Sequence, residues 1–595
     1  MADSLISHHV VIVGAGFDGL ATAVGLAGPA VRITRILLAA LAAAGLCGAI
    51  ARAGDAAAGR SVFLQQCSIC HSASPDDHGG AQGPSLAGLL GRHAAADPAF
   101  SYTAALRAAP LTWDAATLDR FLASPTSVVP GSAMVAAVPN SAERGDLIAY
   151  FASLSSSSRS SVAAPPAPAP AGTAPIGASE DWRKDFPGRV HHIDIASLPP
   201  PYATASANNG PRLVARPAAA QLSVPAGFRV ATLAAHFDGP RKMLVAANGD
   251  IFISEIYGGR ITALRPAPNN DALVSRTNYA TGLTQPFGLA FYPDAEHAQW
   301  LYVAQVDRVV RYAYTTGDLS ARGEPQTVVA DLPHGGGHST RDITFSPDGR
   351  RLFVSVGSGS NIAETMSKKT SEQIRVWEAQ HGLGAAWDRE TDRAAVLVFE
   401  VGSQQPGRRF ATGLRNCVSL TRQPQTGELW CTTNERDLLG DDLVPDYSTR
   451  IREGAFYGWP WYYLGAHEDP RLAGERPDLR GHVTVPDVLF QSHSAPLGLT
   501  FYTATNGASA FPAGYVGDGF VSFHGSWNRG FRTGHKIVRM RMHEGVPTGE
   551  YEDFLTGFIV DNGDAWGRPV ATVELADGSL LMSDDGAGVI YRISY

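Results

Sequence analysis

Pro347-Asp348-Gly349-Arg350-Arg351-Leu352-Phe353-Val354-Ser355 reads as a tight turn feeding a β-strand. Asp-Gly supplies the left-handed backbone that a short hairpin needs, and the residues after it alternate in polarity as a strand does. The unit recurs at Ala247-Asn248-Gly249-Asp250-Ile251-Phe252-Ile253-Ser254 and at Pro293-Asp294 leading to Leu301-Tyr302-Val303-Ala304. It returns at Gln425-Thr426-Gly427-Glu428-Leu429-Trp430-Cys431-Thr432 and at Asp577-Gly578-Ser579-Leu580-Leu581-Met582-Ser583. One such hairpin roughly every 50 to 70 residues is the period of a β-propeller, and residues 181–595 at that period make about six blades.

Outward from the hairpins, the loops between them hold the polar chemistry. Gly337-His338-Ser339-Thr340-Arg341-Asp342 precedes the third hairpin and Gly413-Leu414-Arg415-Asn416 the fourth. Asn434-Glu435-Arg436-Asp437 and Gly440-Asp441-Asp442 follow the fourth strand, with Phe523-His524-Gly525-Ser526-Trp527-Asn528-Arg529 and Trp566-Gly567-Arg568-Pro569 beyond. Arginines and histidines gathered at blade mouths suit an anionic planar cofactor and a proton acceptor. Any one of these arginines alone equally reads as a rim residue in a surface pair, and His338 as a structural histidine in a Gly-rich turn.

As a set, from Pro201-Tyr202-Ala203-Thr204 to the C-terminus, these motifs resemble the soluble pyrroloquinoline-quinone (PQQ)-dependent sugar dehydrogenases, and most closely the L-sorbosone dehydrogenase branch. The resemblance implies a six-bladed all-β propeller with PQQ and calcium at one end of its channel. It implies that His338 is the general base on the sugar's anomeric hydroxyl while hydride passes to the quinone, with Arg341 beside it. It further implies that Arg415 and Asn416 contact PQQ and Arg568 a cofactor carboxylate, with Arg529 a further candidate. Calcium would be held partly by the backbone carbonyls of Glu435 and Arg436, hard oxygen ligands for a hard cation. Two positions depart from the glucose dehydrogenase branch: Val570 stands where a second cofactor arginine is expected, and Ser358 where a pocket acid is. These departures weaken the case for glucose as substrate. Arg241 lines the expected pocket with no role assigned.

Upstream, Cys67-Ser68-Ile69-Cys70-His71 carries the spacing of covalent haem attachment, two thioethers to the vinyls and a histidine as proximal iron ligand. Half of a zinc site is the competing reading, and no second CxxC or HxxxH completes one. With Gly83-Pro84-Ser85-Leu86-Ala87-Gly88-Leu89-Leu90-Gly91-Arg92 and Val129-Pro130-Gly131-Ser132-Ala133-Met134, the segment resembles class I cytochrome c. That resemblance makes Met134 the distal axial ligand, where a core filler is the plainer reading. A soft thioether raises the potential, so such a haem accepts electrons from a reduced organic cofactor. Residues 54–154 are thus a small, all-α cytochrome c domain. Its last helix is expected after Asn140, with Glu143 as capping-box partner and Leu147, Tyr150, Phe151 and Leu154 on one face. Residues 155–180, Ser-rich then Pro/Ala-rich, cannot bury a core and read as a semi-extended tether.

Residues 8–20 run from a strand into Gly14-x-Gly16-x-x-Gly19, a dinucleotide fingerprint that looks like the opening of a flavoprotein. No second strand with a ribose-binding acid follows, so residues 1–30 are expected to be a vestigial Rossmann-like fragment or a mis-called start. Arg32 and Arg35, the apolar run Ile36–Leu46 and Ala51-Arg52-Ala53 read as a signal peptide over 31–53. That run is too short for a stable membrane span in the mature chain. Net charge of −8 and the lack of a basic block exclude nucleic acid as a partner. Of five cysteines, Cys417 and Cys431 flank a turn-rich stretch, and both a disulfide and two buried thiols are open to them. Together these features predict a periplasmic quinohaemoprotein that oxidises a sugar or aldehyde with PQQ and passes electrons to its haem c and on to a respiratory acceptor. The alternative is a non-catalytic propeller binding module tethered to an electron-transfer cytochrome.

Overall fold

The computed structural model describes residues 54–67, 71, 73, 83–97, 102–130, 132, 134, 137–157, 181–207, 209–268, 272–364, 366–403, 405–560 and 563–595. The fingerprint in 1–30, the signal peptide over 31–53, Cys70 and residues 158–180 of the tether lie outside them. Residues Gly54–Tyr595 form one compact unit.

Six four-stranded antiparallel blades make the propeller, and blade 5 gains a fifth strand, Val190–His192, at its outer edge. The strands nearest the channel are Pro240–Val245, Leu289–Tyr292, Ile343–Phe345, Cys417–Arg422, Pro496–Phe501 and Pro569–Glu574, each beside the next in a closed ring. All five hairpins read from the sequence join first to second strands, in blades 1, 2, 3, 4 and 6. Gly249, Gly349, Gly427 and Gly578 hold φ between +68° and +87°, the left-handed turn position that favours glycine. Blade 5 replaces the tight turn by residues 502–518.

The second strands do not alternate as expected. Ile251–Glu255, Leu429–Thr433, Gly519–Phe523 and Leu580–Asp584 are buried throughout, because each blade is stacked between two others and has no solvent face there. Blade 6 closes the ring: Arg229–Ala234, from before blade 1, pairs antiparallel with the C-terminal strand Val589–Ser594. Cys417 and Cys431 are joined in a disulfide across the first two strands of blade 4, with Cα atoms 5.8 Å apart.

The haem domain is all-α among its described residues. Its first helix, Ala56–Val62, crosses the last, Ser141–Ser157, at Gly59, where a Cβ would collide with the Asp146 carbonyl. Leu147 and Phe151 are buried and Tyr150 and Leu154 pack beside them on Phe63, Trp113 and Phe121, the face the periodicity gave. The cap differs from the expected box: Asn140 Oδ1 accepts from Ala142 N, while Glu143 Oε1 accepts from the Asn140 amide and Glu143 Oε2 from Gln66 Nε2. The helix runs three residues past the expected boundary, to Ser157. Among the described residues no helix is long and apolar enough to cross a membrane.

Candidate functional site

A cavity opens on the haem domain, lined by Cys67, His71 and Met134 and walled by Leu86, Trp113 and Phe121. The helical turn Phe63–Cys67 ends on the first cysteine of the CxxCH segment, and His71 N donates to Cys67 O at 2.8 Å, the spacing of one helical turn. His71 Nδ1 donates to Pro84 O at 2.8 Å, so Nε2 keeps its lone pair. Gly83 is required there, since a Cβ would run into the imidazole. Arg92 ties the same loop by donating to Ser85 O at 2.6 Å. A histidine of fixed tautomer, a thioether and a thiol in one largely apolar slot fit a covalently held haem with His71 and Met134 as axial ligands.

The slot is not closed by the haem domain alone. Arg241, Tyr257, Gln285, Gly336, Gly337 and Ser339 of blades 1 to 3 line its far wall, so the haem domain sits on the propeller mouth. Arg389 Nη1 donates to Gln66 Oε1 at 3.3 Å across that boundary, one residue before Cys67.

In the mouth, His338 is buried and its Nδ1 donates to Ser358 O at 2.8 Å, with Ser358 Oγ at 3.1 Å. Nε2 is left as an acceptor. Burial, and then the nearby Arg415 guanidinium, push this imidazole down to about 3, so it stays neutral at ordinary pH. Gly357 allows the close packing, because a Cβ there would stand 2.5 Å from Asn416 Oδ1 and 2.7 Å from His338 Cβ.

Two buried cationic clusters flank the base. In one, Arg415 donates to Asp437 Oδ2 at 2.8 Å, to Asn361 Oδ1 at 3.1 Å and to Glu435 O at 2.6 Å, while His493 Nδ1 stands 3.4 Å from Asp437 Oδ1. Burial opposes protonation of His493, but Asp437 outweighs it and raises its pKa. Asn361 organises this cluster: its Oδ1 also accepts from Asp437 N at 2.9 Å, and its carbonyl from Trp459 Nε1 at 2.8 Å. In the other, Arg241 and Arg568 share Asp585; His524 Nε2 donates to Asp585 Oδ1 at 2.8 Å and its Nδ1 accepts from Arg568 at 2.9 Å. Burial and then Arg568 lower His524 to about 4. Asp585, despite its burial, is held far down by His524 and the two arginines. Two guanidiniums against one carboxylate leave a buried excess of positive charge, which is costly unless an anion meets it. Arg241 Nε and Asn416 Oδ1 are buried without hydrogen-bond partners. The Arg241 Nε–H is a donor that suits an anion, whereas Asn416 Oδ1 is an acceptor and suits a hydroxyl or N–H.

Two expected side chains are turned elsewhere. Arg341 is fully buried and donates to His338 O and Thr340 O, so it shapes the turn carrying the base and offers no face to a substrate. Arg529, also fully buried, donates to Asp441 O at 2.7 Å and pairs with Asp442, pinning two mouth loops together. The Arg436 guanidinium, as distinct from the carbonyl expected to face calcium, donates to Glu435, Asp469 and the carbonyls of Pro460 and Tyr462. The Glu435 carbonyl is taken by the Arg415 guanidinium, so a calcium ion at that oxygen does not fit the site as folded. Among the described residues no three His, Cys, Asp or Glu side chains converge as metal ligands. The sequence reading missed His493, Asn361 and Asp585 and left Arg241 without a role; none stands in a motif that marks it.

Fold and site together define a two-domain protein in which a c-type cytochrome caps the mouth of a six-bladed propeller. Residues 222–450 and 478–595, more than half of the chain, match the TrAA12-like family, and the protein belongs to it. Its haem domain belongs with the cytochromes c: it is 43% identical over 101 residues to cytochrome c2 of Rhodomicrobium vannielii, covering 17% of this chain and 79% of that protein. The propeller shares its fold with the PQQ domain of pyranose dehydrogenase from Coprinopsis cinerea in its holo form, at TM-score 0.51 and 22% identity over 64% of this chain and 98% of that one. It shares it too with the calcium structure of a Trichoderma reesei family AA12 carbohydrate-active enzyme, at TM-score 0.50 and 18% identity over 68% and 99%.

Proposed function

We propose that the protein is an exported quinohaemoprotein dehydrogenase that oxidises a sugar or aldehyde hydrate of the aldose or sorbosone type and delivers the electrons to its own haem c, and from there to a respiratory acceptor. The observation that carries this reading is the shared wall: Gly336, Gly337 and Ser339, which flank His338, also line the slot of His71 and Met134. When bound, PQQ supplies a two-electron hydride acceptor and the haem a one-electron carrier. The protein's part is to bind, orient and deprotonate. Arg241 and Arg568 would bind the cofactor's carboxylates with charge that Asp585 only partly cancels, while Arg415, whose guanidinium is given to Asp437, Asn361 and the Glu435 carbonyl, braces the opposite wall beside Asn416. His338, its tautomer fixed by Ser358 O, takes the hydroxyl proton of the carbon being oxidised on Nε2. The haem domain covers the mouth, with Arg241, Gly336, Gly337 and Ser339 shared between the two sites. A disulfide in blade 4 and a haem attachment motif in one chain support an oxidising, exported setting.

The test is the haem absorbance of the purified, PQQ-loaded chain on adding sorbosone, glucose and other aldoses. Haem reduction by a substrate only with PQQ, abolished in His338→Ala, is the expected outcome. A haem that stays oxidised with every candidate, in a protein that retains no PQQ, overturns the reading and leaves a binding propeller.

A further inference from the structure

Arg241 stands at the boundary between two sites: it lines the haem slot and it pairs with Asp585 in the cationic cluster of the mouth. It lies in the innermost strand of blade 1, at a break of register. Pro240 pairs with Glu255 and Met243 with Ile253, so Arg241 sits in a bulge, which re-aims a side chain. Its backbone is pinned from blade 6, where Ser583 Oγ donates to the Arg241 carbonyl at 2.7 Å. The guanidinium carbon lies 5.4 Å from the centroid of the Phe287 ring, Nη1 donates to Asp585, and buried Nε meets no partner. With the side chain only 3% exposed, salt and bulk water screen its charge weakly. Charge in the slot is one-signed. Among the described residues that line it, the arginines are Arg92 and Arg241, and no carboxylate joins them. Arg92 is given to the carbonyls of Ser85 and Ala87 in its own loop. Asp585 lies behind Arg241, outside the slot lining, and is shared with Arg568 and His524.

From this geometry we infer that Arg241 sets the reduction potential of the haem and makes it sensitive to anion binding at the neighbouring cluster. This rests on the slot holding haem c and on the cluster holding the anionic cofactor. One-electron reduction of ferric to ferrous iron lowers the charge in the slot by one unit. A weakly screened guanidinium beside it favours the reduced form and raises the potential. A polycarboxylate seated on Arg241 and Arg568 brings the opposite charge to the same group and lowers the potential again. Linkage makes the effect reciprocal: a haem that has taken an electron weakens the binding of that anion by the same factor. Arg241 thus acts through its charge on two sites at once, and the propeller supplies part of the haem's electrostatic environment.

Spectroelectrochemical titration of the full haem-loaded chain, followed at its haem absorbance, tests this first without PQQ. In Arg241→Gln the haem reduction equilibrium is expected to move about three- to tenfold toward the oxidised form, tenfold being about 59 mV for one electron. Arg241→Lys, which keeps the charge, is expected to stay within about twofold of wild type, and an unaltered haem spectrum in both variants reports that the slot is intact. A wild-type potential in Arg241→Gln, or an equal fall in Arg241→Lys, overturns the inference. PQQ is then added. The wild-type equilibrium is expected to move about three- to tenfold toward the oxidised form on saturation, and a potential unmoved by PQQ that the chain retains overturns the inference as well. Should the chain retain no PQQ, the dehydrogenase reading fails on its own, and the cofactor-free comparison of Arg241→Gln with Arg241→Lys still decides whether this arginine acts on the haem.

Discussion

His338 is held in its neutral form by burial and then by the nearby Arg415 guanidinium, which together outweigh the Ser358 carbonyl on Nδ1, a hydrogen bond that favours the protonated ring. This has a sign in stability. The imidazole sits at about 3 in the folded chain against 6.5 when free, so between those pH values the unfolded chain binds a proton that the folded chain does not. Folding stability therefore climbs with pH across that window and levels off above about 6.5, with a slope of about 1.4 kcal/mol per pH unit from this group. Urea unfolding of the cofactor-free chain between pH 4 and 7 should show that slope in the difference between wild type and His338→Gln. Parallel curves would mean that the imidazole is charged in the folded state. The sequence singled out this residue by its motif and marked Ser358 as a departure from an acid. It could not tell that Ser358 would serve through its backbone. Arg341 and Arg529 mislead for a related reason: an arginine in a mouth motif is legible as a charge, but the direction of its side chain is decided by carbonyls such as Thr340 O and Asp441 O that only the folded loops bring near.

At the scale of elements, a hairpin was legible wherever the chain turns in few residues around a left-handed glycine, as at Gly349. It was illegible in blade 5, whose first connection wanders through residues 502–518. His493 and Asn361 lie in irregular connections with no period to announce them, yet they organise half of the cationic site. The blade 4 disulfide was left open by sequence because pairing depends on Cα distance, and the distance is 5.8 Å. Closing a loop of 14 residues removes unfolded-state entropy worth about 3 kcal/mol. Reduction of the bond, or Cys431→Ala paired with Cys417→Ala, should lower the unfolding free energy by about that amount with the haem spectrum unchanged. A loss confined to a few tenths of a kcal/mol would show that blade 4 is held by its core alone.

For the whole molecule, the sequence predicted two domains on a tether and an electron path between them by proximity. What it could not supply is the fixed seat. Gln66, next to the haem-attaching Cys67, is gripped on one side by Arg389 of blade 3 and on the other by Glu143 of its own last helix. A latch at that point acts on electron transfer and leaves proton abstraction alone. Arg389→Glu is expected to slow substrate-driven haem reduction at least several-fold while activity with a dye that takes electrons directly from the mouth stays within about twofold. Equal losses in both assays would place Arg389 in substrate handling instead.

The closing strand of blade 6 carries a consequence for how the molecule is made. Arg229–Ala234 waits unpaired until Val589–Ser594, the last strand of the chain, has been synthesised. The haem domain, encoded entirely ahead of that strand, has no such dependence. Assembly is thereby ordered: the helices of the cytochrome domain can form while the ring is still open, and the mouth they cover acquires its final shape only once Arg229–Ala234 has paired with Val589–Ser594.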